Sequence, residues 1–125
     1  MTTIDNYRKG WALRYLREAK AELTAAQNTP PMASTLVLEA MKKAQEAIYY
    51  SLGDPASIGL IVRQTLQGTQ IIKDPILRCL VEIERTIQQA IQTPKANRQE
   101  AINNADKLIQ IASEIVELLT GEKAS

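Results

Sequence analysis

The stretch Glu100–Gly121, EAINNADKLIQIASEIVELLTG, decides the fold class of this chain. Ala101, Ala105, Leu108, Ala112, Ile115 and Leu119 follow one another at spacings of 4, 3, 4, 3 and 4, the repeat of one helix face. Further apolar groups flank that line, Ile102, Ile109 and Val116 on one side and Ile111 and Leu118 on the other. Asn103, Asp106, Lys107, Gln110, Ser113, Glu114, Glu117 and Thr120 take the remaining positions. The apolar arc is wider than a seam between two helices requires, which makes the flanking residues candidates for a subunit contact. Thr93-Pro94 reads as the N-cap and first residue of this helix, and Gly121 as its end.

Upstream, the same periodicity recurs. Ala12, Leu16, Ala19, Leu23 and Ala26 predict a first helix over Asn6–Gln27, broken by Asn28-Thr29-Pro30-Pro31. Ser34 is positioned to cap a second helix with Val37, Met41, Ala44 and Ile48 inside, ending at Gly53. A short third helix follows, with Ser57 as cap, Ile58, Ile61, Val62 and Leu66 as its face and Gly68 as its stop. Asp74-Pro75 opens a fourth, whose inner residues are Ile76, Leu80, Ile83, Ile87 and Ala90. No segment alternates as a strand does. Short connections favour antiparallel neighbours, so the expected architecture is an all-α, up-and-down bundle of four long helices with one short helix. It forms one domain over residues 1–125.

Composition narrows the function. There is no histidine and one cysteine, Cys79, so the two side chains most used for chemistry near neutral pH are almost absent. Fifteen basic and fourteen acidic residues leave a net charge of +1, and no bulk field draws in nucleic acid or an anionic membrane. A single cysteine forms no internal disulfide, which fits a reducing compartment. The apolar run Ile58–Val62 is far too short to span a bilayer, and Met1–Lys9 lacks the apolar core of a secretory signal. The expectation is a cytoplasmic protein without catalytic residues, metal ligands or a bound cofactor.

Each candidate for chemistry has a plainer reading beside it. Glu18 with Glu22, and Glu114 with Glu117, share helix faces but fall on polar sides, where solvation explains them better than a metal does. Cys79 lies beside a core line and has no base at hand, so it reads as a packed thiol. Lys43 is spaced to pair with Glu39, and Lys42 with Glu46. Tyr49 and Tyr50 end the second helix, as lining of a cleft or as packing at the end of the bundle. The first helix is richer: Tyr7, Trp11 and Tyr15 form a stripe four residues apart, interleaved with Arg8, Lys9, Arg14, Arg17 and Lys20. Arg14, Arg17 and Lys20 with the rings would suit phosphates and unpaired bases of RNA. Alternatively the rings pack on the bundle or on a second subunit.

The segments WALRYLREAKAEL (Trp11–Leu23) and TLVLEAMKKAQEAIYYSLG (Thr35–Gly53), with EAINNADKLIQIASEIVELL (Glu100–Leu119), resemble the small helical HEPN domains of bacteria and archaea. The resemblance implies a helical bundle that dimerises. Many members cut RNA through an arginine followed, a few residues on, by histidine; here Arg63 and Arg78 have no histidine to follow them. It therefore implies a degenerate member, a dimeric binding or adaptor module with a nucleotidyltransferase-like protein as a candidate partner. The leading expectation is a non-catalytic, adaptor- or antitoxin-like interaction module acting as a homodimer, with Trp11, Tyr15, Ile102, Ile109, Ile111, Val116 and Leu118 as interface candidates. The alternative is a degenerate HEPN-type domain that binds RNA or a nucleotide through Arg14, Arg17 and Lys20.

Overall fold

Asp5 starts the first helix by accepting the backbone N–H of Arg8 on its carboxylate at 2.8 Å, satisfying one of the donors that a helix N-terminus leaves open. The computed structural model of the chain describes residues 5–92 and 97–123. It holds five α-helices: α1 (Asn6–Asn28), α2 (Ala33–Leu52), α3 (Pro55–Gln67), α4 (Pro75–Gln92) and α5 (Arg98–Thr120). No strand occurs among the described residues, and the protein is an all-α bundle.

The caps show how the sequence punctuates itself. Asp74 Oδ1 accepts from the N–H groups of Ile76 and Leu77, and Pro75 occupies the first helical position, as the Asp-Pro pair predicts. The same grammar opens α3, which corrects the expectation for Ser57. Asp54 is the cap there, receiving both the N–H and the hydroxyl of Ser57, and Pro55 comes first in the helix. Ser34 is not a cap either. Pro30–Met32 make a single 3₁₀ turn that runs directly into α2, so Ser34 already lies inside the helix. Prolines lack only N–H groups that a first turn leaves unpaired anyway, which is why the pair can lead into a helix. Thr93 and Pro94 lie outside the described residues; α5 as described opens at Arg98, with Asn97 Oδ1 accepting from Gln99 and Glu100. It closes at Gly121, whose φ of 75° is the left-handed conformation that glycine adopts most readily.

The long helices alternate in direction. Arg8 at the start of α1 donates to the carbonyls of Tyr50 and Ser51 at the end of α2, so these two run antiparallel. Lys9 pairs with Glu122 beyond the end of α5, setting α5 antiparallel to α1. Gln45 in α2 reaches Glu84 in α4, while the start of α2 shares a cleft with Ala90 and Ile91 at the end of α4. α2 is the hub, packed against α1, α3, α4 and α5, and α3 folds back on α4.

One apolar cluster joins all five helices. Small residues let α1, α2 and α5 approach closely: Ala12, Ala19 and Ala26 on α1, Ala33, Ala40 and Ala47 on α2, and Ala105 and Ala112 on α5 recur every seven residues, and all are buried. The expected inner lines of α1 and α2 are buried throughout. On α5 the buried line is rotated from the expected one. Ile102, Ala105, Leu108, Ile109, Ala112 and Val116 face the core, Ala101 and Ile115 are half-buried, and Leu119 is exposed. Ile61 on α3 and Ile76 on α4 are also exposed rather than inside.

Candidate functional site

The α1 stripe meets a partner that its spacing alone did not supply. Tyr50, from the end of α2, stacks on Trp11 at 6.1 Å and on Tyr15 at 5.7 Å between ring centroids. Trp11 and Tyr15 are 5.7 Å apart, and Tyr7 sits edge-on to Trp11 at 6.3 Å, so four rings form one surface cluster. These separations are within the range of favourable aromatic pairs. Burial raises the Tyr50 hydroxyl above its ordinary pKa, with the neighbouring tyrosines adding to the effect. Tyr7 remains 70% exposed at the end of the stripe.

Arg14 lies over the Trp11 ring, its guanidinium carbon 5.0 Å from the centroid, and its Nε donates to Glu18 at 3.0 Å. The structure does not collect the three expected RNA-contacting cations on one face. Arg17 is exposed, and its side chain makes no ion pair or hydrogen bond among the described residues. Lys20, nine residues beyond Trp11 and so half a turn around the helix, lines a groove with Leu23, Asp106 and Gln110 on the side facing α5. Arg8, which also belongs to the basic set, is committed to the α2 carbonyls at 3.1 and 3.4 Å.

Glu18 and Glu22 form a bridge, not a solvated surface. Lys43 of α2 inserts between them, 3.1 Å from Glu18 Oε1 and in direct contact with Glu22 Oε1. The expected pairing of Lys43 with Glu39 is thus replaced by one across α1 and α2. Hydrogen bonds from Lys43 and then Arg14 hold the Glu18 carboxyl below its ordinary range, and the bond to Glu22 holds the Lys43 ammonium above its own. The expected pairing of Lys42 with Glu46 is likewise not formed among the described residues. Burial pushes the Glu46 carboxyl up, opposed by the charge of Arg63.

A second polar group sits where α2, α3 and α4 meet. Glu84 accepts from Gln45 Nε2 at 2.7 Å and from Gln88 Nε2 at 2.9 Å. Tyr49 is buried beside it, with the Gln45 side chain near its hydroxyl. Burial raises that hydroxyl well above the ordinary tyrosine range, so it stays protonated. Cys79, half-buried on α4, has its thiol pushed up by burial, which disfavours the thiolate a nucleophile needs. Among the described residues no cluster of three or more His, Cys, Asp or Glu is arranged to hold a metal ion.

The interface candidates on α5 separate into two sets. Ile102, Ile109 and Val116 belong to the chain's own core, which corrects their assignment to an external surface. They share the core cluster with buried residues of α1 and α2, both of which pack against α5. Ile111 and Leu118 are exposed, at 38% and 82%, and Leu119, about a quarter turn around the helix, is exposed as well. Lys107 and Glu114 lie along this outer strip, and their side chains form no ion pair or hydrogen bond among the described residues. No helix among the described residues is long and apolar enough to cross a membrane. No family model matches the chain, and neither curated proteins nor solved structures provide a match.

Proposed function

We propose that the protein is a non-catalytic, adaptor- or antitoxin-like interaction module that acts as a homodimer in the cytoplasm. The observation that carries this reading is the outer strip of α5, where Ile111 and Leu118 present apolar surface on a helix whose other face is already anchored in the core. A chain with no histidine, whose single thiol is disfavoured as thiolate, offers little for acid–base or nucleophilic chemistry and supports a binding role. An all-α bundle without histidine also suits a degenerate HEPN domain, for which a nucleotidyltransferase-like protein is the proposed heterologous partner. Sedimentation velocity over a range of concentrations tests the reading: a dimer is expected, and a monomer at every concentration overturns it.

A second reading, binding of RNA or a nucleotide, is favoured by the ring cluster with Arg14 set over Trp11. Trp11 is the only tryptophan, so its fluorescence reports directly on stacking. Quenching by single-stranded RNA that fades steeply with salt is expected on this reading; an unchanged spectrum at low salt counts against it.

A further inference from the structure

The outer face of α5 has an order that apolar exposure alone does not explain. Lys107, Ile111, Glu114 and Leu118 succeed one another along it at spacings of four, three and four. Ile111 is therefore bracketed by a cation about 6 Å behind it along the axis and an anion about 4.5 Å ahead. Both charges are without an ion-pair partner among the described residues, and both ends of α5 are fixed, by the Asn97 cap and the Gly121 turn. The strip thus alternates charged and apolar groups on a helix capped at both ends, and its two charges are complementary to themselves when reversed.

We propose that a second copy of this chain docks on this face with the two α5 helices antiparallel, across a two-fold axis passing through Ile111. This deepens the homodimer reading and rests on it. The axis brings Ile111 against Ile111 of the second copy. It also brings Lys107 near Glu114 of the second copy, twice by symmetry, because the offsets from the axis differ by a single residue rise. Leu118 then lies over Asn104 of the second copy, which is exposed. A parallel pairing in register sets Lys107 against Lys107 and Glu114 against Glu114, and like charges oppose it. Self-complementarity under a two-fold is what an isologous interface requires. A second copy of the strip thus matches its central isoleucine and both of its flanking charges.

The test uses the full chain and sedimentation velocity. Lys107→Glu and Glu114→Lys, each alone, convert both attractive pairs to repulsive ones and are expected to weaken dimerisation about tenfold. The double substitution restores the pairing, and so does a one-to-one mixture of the two single variants, one all-acidic and one all-basic on this strip. On a Cys79→Ser background, Ile111→Cys is expected to give a disulfide-linked dimer on mild oxidation, whereas Leu118→Cys does not. Cross-linking of Leu118→Cys as efficient as that of Ile111→Cys means parallel helices and overturns the proposal. A dimer unaffected by either charge reversal also overturns it but leaves the homodimer reading standing, with its interface elsewhere. A wild-type monomer at all concentrations overturns both.

Discussion

Lys43 shows how one side chain fixes the relation of two helices. Its ammonium joins Glu18 and Glu22 on α1, and its own side chain is 24% exposed, so the contact is only partly screened by water. The second oxygen of Glu22 is buried with no hydrogen-bond partner among the described residues, which makes the site sensitive to loss of the cation. Lys43→Met is expected to lower stability by about 1 kcal/mol, read as a lower urea midpoint. The pH dependence has a definite sign. The folded state holds the Lys43 pKa above its unfolded value, so this stability is fully present below the unfolded value and is lost as pH rises through the folded one. Glu18 acts in the opposite direction: its carboxyl is held low, and its contribution is lost as pH falls through the folded value. The methionine variant should therefore lose less stability than the parent on the alkaline side. None of this was legible in the sequence, where Glu39 lies at the ideal helical spacing from Lys43. Spacing along one helix says nothing of a carboxylate delivered by its neighbour.

At the scale of elements, the alanines repeated every seven residues set the distance between α1, α2 and α5. A buried alanine leaves no room for a larger group, so Ala19→Leu must displace a neighbouring backbone. It is expected to cost about 1–3 kcal/mol in thermal or urea unfolding, while Ala21→Leu, on the exposed side of the same turn, stays within about 0.5 kcal/mol of the parent. The helices and the inner lines of α1 and α2 were readable because they rest on periodicity, which a single strand of sequence contains. The caps were readable where Asp precedes Pro, as at Asp74, and missed at Asp54 only because Ser57 offered a competing signal. The face of α5 was a harder problem. Its apolar residues cover so wide an arc that periodicity admits several inward lines, and the choice is made by where α1 and α2 lie. The ring cluster was half legible for the same reason: Tyr7, Trp11 and Tyr15 share a stripe on one helix, while Tyr50 arrives from another.

For the whole molecule, the uneven distribution of contacts around α2 matters most. α1, α2 and α5 are joined pairwise, whereas α3 and α4 depend mainly on α2 and on each other. Opening the α3–α4 hairpin exposes one side of α2 and leaves the other three-helix contacts in place. Two thresholds of unfolding are therefore expected in place of one. Native-state hydrogen exchange should resolve them: amides of α3 and α4 trade protons for deuterons in an earlier, common phase, and those of α1, α2 and α5 follow only with global unfolding. A single shared rate for all five helices would contradict this. On that expectation the molecule keeps a fast clock and a slow one, and any event that needs the opened hairpin is timed by the first.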